Sequence, residues 1–262
     1  MDTTLTGKRA VVCGSTQGIG RATAEALAAL GASVTLVARH PEALAQVQAG
    51  LAAAPGQAHA SVRADFSDLD GLAAAVSAHL DDVGAAHILV NNSGGPPAGP
   101  AISAKTDEFT AGFTQHLLAS HTLVQMLAPG MRAAGYGRII NIISTSVIMP
   151  IKGLGVSNTI RGAVANWART LAAELGPHGI TVNNVLPGFT ATARLGSLIQ
   201  GRASRAGCST QEIEAQMKQA VPAGRFGRPE EIAEVVAFLA SPAASYVNGV
   251  HLPVDGGRLA AS

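Results

Sequence analysis

One run constrains the fold of this chain more than any other: Arg9-Ala10-Val11-Val12-Cys13-Gly14-Ser15-Thr16-Gln17-Gly18-Ile19-Gly20. A short apolar segment passes directly into glycines, and Ala and Leu then recur at helical spacing from Gly20 to Leu30. A strand without polar alternation is buried on both faces, as parallel strands are. Glycines between strand and helix let backbone N–H groups approach a pyrophosphate, and the helix N-terminus adds partial positive charge. The spacing Gly-x-x-x-Gly-x-Gly varies the dinucleotide fingerprint, and the same glycines could serve a tight turn alone.

The alternation repeats along the chain. Strands are predicted at Ser33-Val34-Thr35-Leu36-Val37, near His59 to Ala64, at His87 to Val90, Arg138 to Ile143, Ile180 to Val185 and Val250 to Val254. Helices are predicted from about Pro41, from Asp68 to Leu80, over 107–131, over 156–175 and from Pro229 to Leu239. Strand–helix alternation builds βαβ units. The expected fold is a single α/β domain over 1–262, a Rossmann-like doubly wound parallel sheet with helices on both faces. Only residues from about 190 to 224 are weakly patterned, and they read as an excursion from the sheet rather than a second domain.

Composition narrows the function. Apolar residues are 47% of the 262 and charged residues only 13%, against about 25% charged in an average chain. That excludes a disordered chain or a coiled coil and suggests surface hidden between subunits. A net charge of +1 gives no reason to expect nucleic acid or a membrane surface as partner. Cys13 and Cys208 make no disulfide framework, no metal-ligand cluster is apparent, and neither a leader nor a bilayer span is expected. The chain reads as cytoplasmic.

Further candidates stand at strand ends, where ligands bind in open α/β sheets. The second strand ends Val37-Ala38-Arg39-His40, placing Ala38 where an NAD-binding protein carries an acid for the ribose 2′-hydroxyl. The guanidinium of Arg39 suits a 2′-phosphate, which favours NADP(H) over NAD(H), although a solvated strand-end arginine is also common. Asp65-Phe66 follows the third strand and Asn91-Asn92-Ser93-Gly94-Gly95 the fourth.

Together these segments resemble the short-chain dehydrogenase/reductase superfamily over nearly the whole chain. The resemblance is carried by Gly14-x-x-x-Gly18-Ile19-Gly20, Asn91-Asn92-Ser93-Gly94, Gly137-Arg138-Ile139-Ile140-Asn141-Ile142-Ile143-Ser144, Asn183-Asn184-Val185-Leu186-Pro187-Gly188, Arg225-Phe226-Gly227-Arg228-Pro229-Glu230-Glu231, Asn248-Gly249 and Val254-Asp255-Gly256-Gly257. It implies that Ser15, Gln17, Ile19, Arg39, Asp65, Phe66, Asn92, Ser93 and Gly94 line the adenosine and phosphate half of the cofactor. It implies that Pro187, Gly188, Phe189 and Thr192 hold the nicotinamide, that Ser144 binds the substrate oxygen, and that 189–224 forms a substrate lid. It also implies a homotetramer, paired through the helices near 107–131 and 156–175, with Leu117, Leu118, Leu123, Met126, Val164, Trp167 and Leu171 on the pairing faces.

The chain departs from the family at the acid–base pair. Thirteen residues after Ser144, where the family has Tyr, stands Ser157, and four further on, where it has Lys, stands Arg161. No Tyr-x-x-x-Lys exists anywhere in the sequence. His116 aligns with the family Asn. A serine hydroxyl is a poor proton donor, and arginine stays charged. Arg161 lies one helical turn from Ser157, on the same face, and can still bind ribose hydroxyls. His116, with an ordinary pKa of about 6.5, is the candidate for proton transfer, or else a core histidine. Lys152 is a further candidate, and His121 is expected to face a neighbouring subunit. Gly94-Gly95-Pro96-Pro97-Ala98-Gly99-Pro100 should form a stiff wall. Arg194, Arg202 and Arg205 would give an apolar lid pocket a cationic rim suited to an acidic or acyl substrate, although exposed arginines on a mobile helix fit the sequence equally well.

Two functions follow from these residues. The first is an NADP(H)-dependent oxidoreductase that interconverts a small-molecule carbonyl and alcohol through a non-standard site, with Ser144, Ser157, Arg161 and His116 as its catalytic group. The second is a catalytically silent cofactor- or metabolite-binding protein on the same scaffold. A lyase or epimerase on that scaffold is a third, because fold does not dictate chemistry.

Overall fold

The computed structural model describes residues 1–261. Seven strands form one sheet in the order β3-β2-β1-β4-β5-β6-β7, and every neighbouring pair is parallel. The strands are β1 (Arg9–Cys13), β2 (Ser33–Ala38), β3 (Ala60–Arg63), β4 (Ile88–Asn91), β5 (Gly137–Ile142), β6 (Ile180–Pro187) and β7 (His251–Val254). Strand order reverses between β1 and β4, so a crevice opens at their C-terminal ends. This is the doubly wound sheet that the apolar runs predict.

The helices divide between the two faces. α1 (Gly18–Ala29), α2 (Pro41–Ala49) and α9 (Pro229–Ala240) cover one face, where Leu27, Leu36, Leu44 and Val236 are fully enclosed. α3 (Leu69–Val83), α5 (Ala119–Ala133) and α6 (Gly155–Leu175) cover the other, around Leu72, Leu89, Leu123 and Ile139. Burying each such side chain contributes about 1.5–3 kcal/mol. Starts follow local chemistry: Pro41 and Pro229 open their helices, and Asp68 caps α3 by accepting from the Gly71 N–H at 3.0 Å.

The predicted helix over 107–131 contains a break in register. α4 (Thr106–Phe113) runs into α5 through a π-helical turn at Thr114–Leu118, and His116 lies inside that turn. Such turns re-aim side chains and are frequent at functional sites.

The weakly patterned region contains two helices, α7 (Ala193–Ala206) and α8 (Thr210–Gln219). They enclose a small apolar cluster of Leu195, Ile199, Ala203, Ile213 and Met217. Their polar composition hid them, but Ser209-x-x-Glu212 was a legible start signal. The Ser209 hydroxyl accepts from the Glu212 N–H, and the Glu212 carboxylate accepts from the Ser209 N–H at 2.8 Å.

A row of buried side chains crosses the sheet beneath the crevice. Asn91 Nδ2 donates to Asn141 Oδ1 at 2.8 Å, and Asn141 Nδ2 donates to Asn184 Oδ1 at 3.0 Å. Asn184 Nδ2 then meets His251 Nδ1 at 3.0 Å. These residues pair directly across β4, β5, β6 and β7. Buried amides linked in this way fix strand register, and Asn91 Oδ1, alone in the row, lacks a partner among the described residues. Leu123, Val164 and Leu171 are buried within the chain itself, whereas Leu117, Leu118, Met126 and Trp167 remain partly exposed. Among the described residues, no helix is long and apolar enough to cross a membrane.

Candidate active site

The crevice is a cleft of about 800 Å³, within the range of small-molecule and cofactor sites. Its floor is the turn after β1. Gly14 has φ of +58°, and a Cβ there would meet the Asn92 carbonyl oxygen at 2.6 Å. A Cβ on Gly20 would overlap the Gly14 carbonyl oxygen. Asn92 ties the turn to β4, its Nδ2 donating to the Cys13 and Gly14 carbonyls, both at 3.3 Å. The glycines are therefore required by close backbone packing, and they leave the turn facing the cleft.

Most residues expected to hold a cofactor line this cleft: Gly14, Gln17, Gly18, Ile19, Arg39, Phe66, Asn92, Ser93, Gly94, Arg161, Pro187, Gly188, Phe189 and Thr192. Three do not. Ser15 is fully buried, with its hydroxyl turned to the Val37 carbonyl. Gly20 sits behind the turn against Gly14. Asp65 accepts from the Ser67 N–H and hydroxyl at 2.9 and 2.7 Å, bonds that hold its carboxyl below the ordinary range. The Cys13 thiol, under the floor, is pushed up to about 12 by burial and is chemically inert.

At the other end, Ser144, Ser157 and Arg161 line the same wall. The buried Ser157 hydroxyl accepts from Arg161 Nε at 3.2 Å. Arg161 Nη1 donates to the Ile142 and Ile143 carbonyls at 3.2 and 2.8 Å, which fastens α6 to the end of β5. The Ser144 hydroxyl accepts from the Ser146 N–H at 3.0 Å. Burial, then the neighbouring Arg194, lower the Arg161 pKa to about 10, so it remains a cation at neutral pH.

His116 is not in the cleft but behind it. It borders a separate cavity of about 20 Å³, shared with Asn91, Asn141, Ser93, Gln115 and Arg161. Its Nδ1 bonds to the Ser93 hydroxyl at 2.7 Å, and its buried Nε2 has no protein partner. Burial first, then the charges of Arg161 and Arg194, push its pKa down to about 3. The near-neutral pKa that recommended His116 from sequence is therefore absent, and the ring is neutral around pH 7. Lys152 is exposed and outside the cleft. His121 packs edge-on against Trp167, ring centroids 6.2 Å apart.

Sequence reasoning missed Gln115, which the π-helical turn brings to both cavities, and Thr16 and Thr145 in the cleft wall. Arg194 was assigned only to a rim, yet its Nη2 donates to the Pro96 carbonyl at 2.6 Å and joins α7 to the loop after β4. Only the position of Thr192 as a helix cap hinted at that geometry. Its hydroxyl accepts from the Leu195 N–H at 3.4 Å, directing the first turn of α7 toward the cleft.

The chain is similar to known proteins over nearly its whole length. The family described as enoyl-(acyl carrier protein) reductase matches residues 14–258. The short-chain reductase protein NovJ of Streptomyces niveus is 36% identical over 252 residues, covering 95% of this chain and 93% of NovJ. The NADPH-dependent reductase BacG of Bacillus subtilis is 30% identical over 256 residues, covering 97% and 99%. The crystal structure of L-sorbose reductase from Gluconobacter frateurii, complexed with NADPH and L-sorbose, superposes with a TM-score of 0.92. It is 32% identical and covers 99% of each chain.

Proposed function

Since this chain belongs to the short-chain dehydrogenase/reductase family, we propose that it is an NADPH-dependent reductase interconverting a carbonyl and an alcohol through a site without the family's tyrosine and lysine. The cofactor fits the residues present. A side chain on Gly94 would meet open space, and no aspartate or glutamate lines the cleft to repel phosphates. The Gly14–Ile19 turn would hold the pyrophosphate and Arg39, exposed at the end of β2, a 2′-phosphate. Arg161 would hold the nicotinamide ribose, with Pro187, Gly188, Phe189 and Thr192 around the ring. When bound, the reduced nicotinamide supplies the hydride.

The observation that carries the reading is the state of two hydroxyls. Ser144 and Ser157 each already accept an N–H bond, from Ser146 and Arg161 respectively. Each O–H is therefore free to donate into the cleft. Two such donors backed by a guanidinium stabilise negative charge developing on a substrate oxygen, the arrangement that contributes most in oxyanion sites. They orient the carbonyl and hold the charge, and neither serves as the acid. His116 borders a cavity with room for one water, but its Nε2 is itself sealed from solvent. The proton that balances the hydride comes from water entering the open cleft, and His116, neutral behind the cleft wall, braces the Ser93 hydroxyl instead of donating as an imidazolium.

Fluorescence titration tests the cofactor assignment. NADPH should bind at least about 10-fold tighter than NADH, the scale of one charge-assisted contact to the 2′-phosphate. Equal affinities would overturn the role of Arg39, and binding of neither would overturn the reductase. The partly exposed Leu117, Leu118, Met126 and Trp167 support a homotetramer, to be read as a mass by light scattering.

A further inference from the structure

We propose that Arg161 and Arg194 together form a seat for a carboxylate carried by the substrate, so that the enzyme acts on an anionic carbonyl compound. This rests on the reductase reading and names the substrate class of that site. Four arginines line the cleft (Arg39, Arg161, Arg194 and Arg202), and not one aspartate or glutamate does. Arg39 is accounted for by a 2′-phosphate at the far end. Arg161 and Arg194 instead converge on one point. A Cβ placed on Gly95 would lie 3.3 Å from Arg194 Nη2 and 3.5 Å from Arg161 Nη2. Both nitrogens are thus within reach of a single carboxylate, whose charge-assisted bonds run about 2.7–2.9 Å, and Arg161 Nη2 keeps its second N–H for the nicotinamide ribose.

The two cations are placed there against their mutual repulsion. Arg161 spends Nε and Nη1 on Ser157, Ile142 and Ile143, and Arg194 Nη2 donates to Pro96. All of those partners are neutral, and neither guanidinium has a salt bridge among the described residues. Arg194 is also the second residue of α7, where the helix macrodipole disfavours a cation. Two guanidiniums facing one another with no acid between them are stabilised by a bound anion, and a planar carboxylate suits their forked donors. Pro96 and Pro97 stiffen the loop that holds Arg194 in place. Beyond the pair, Leu154, Leu195, Leu198 and Met217 give the cleft apolar walls for the carbon skeleton.

Gly95 supplies the test. Its backbone is outside the left-handed region, and the three atoms nearest a Cβ placed there all belong to the two guanidiniums. Gly95→Asp should therefore tether a carboxylate in the seat, and Gly95→Asn is its uncharged control. The probe pair is levulinate and methyl levulinate, titrated calorimetrically into protein saturated with NADP+, which cannot reduce them. Levulinate should bind at least about 10-fold tighter than its ester. Arg194→Gln should remove that preference and leave NADPH affinity within about twofold. Gly95→Asp should raise Tm above that of Gly95→Asn and abolish levulinate binding. Equal affinity for acid and ester, no levulinate binding, or an unchanged preference in Arg194→Gln overturns the seat. The two readings fail separately: discrimination in binding without oxidation of NADPH leaves the seat and removes the reductase, whereas oxidation of NADPH without discrimination does the reverse.

Discussion

The two ends of the cleft are built in different ways. The end formed by β1, β2 and β4 is shaped by backbone: Gly14 and Gly20 pack against carbonyl oxygens, and Asn92 locks the turn to the next strand. The end formed by β5, α6 and α7 is shaped by side chains. There Arg161 reaches Ser157 and two β5 carbonyls, while Arg194 reaches a loop 98 residues earlier in the sequence. The first design tolerates almost no change at its glycines, because backbone carbonyls stand where their side chains would go. The second depends on which side chains it carries, and in this chain positions 157 and 161 are Ser157 and Arg161.

The sharpest way to break the comparison is at the backbone end. Gly20→Val would drive a branched side chain into the Gly14 carbonyl and Asn92 Nδ2. It should reduce NADPH affinity by more than about 100-fold and lower Tm, since overpacking of this kind costs several kcal/mol. A variant that still titrates normally would show that the turn is not rigid. At the side-chain end, Ser157→Ala should leave NADPH affinity within about threefold and cut kcat about 100-fold, the usual cost of one donor to a developing oxyanion. An equal loss of binding and turnover would mean that Ser157 is structural. Arg39→Ala should weaken NADPH about 10- to 100-fold and leave NADH unchanged. A parallel loss of both would move the 2′-phosphate elsewhere.

The effect that is smallest at neutral pH concerns His116 and grows as pH falls. The His116 pKa of about 3 lies below the unfolded value of about 6.5, so the unfolded chain binds the extra proton first. Its contribution to stability is complete above about pH 6.5 and is lost as pH falls toward 3, by up to roughly 1.4 kcal/mol per pH unit. His116→Asn should flatten this slope in denaturation curves between pH 6.5 and 4 while changing Tm little at pH 8. An unchanged slope would mean that the ring is not buried in solution.

What could be read from the sequence follows the same division. Unbroken apolar runs such as Val11-Val12-Cys13 and Ile139-Ile140 mark buried parallel strands, and the glycine spacing marks the switch-point turn. These are local signals, and of the residues singled out from them for a cofactor all but Ser15, Gly20 and Asp65 line the cleft. The helices α7 and α8 were hidden by polar composition despite the capping box at Ser209. The convergence of Arg161 and Arg194 on Gly95 depends on three segments far apart in the chain, and no local pattern encodes it. For His116, the ordinary imidazole pKa misled because burial in a π-helical turn cannot be read from residue type alone.

The central claim is that a carbonyl is reduced here without a phenol. A single-turnover measurement tests it most directly: NADPH-loaded protein is mixed with a panel of acidic and neutral ketones, and nicotinamide absorbance is followed in wild type and Ser157→Ala. The account predicts stoichiometric NADPH oxidation by wild type, fastest with a carboxylate-bearing ketone, and a rate about 100-fold lower in the variant. Tight NADPH binding with no oxidation by any ketone would contradict it and identify the chain as a cofactor-binding protein that keeps the scaffold without the reaction.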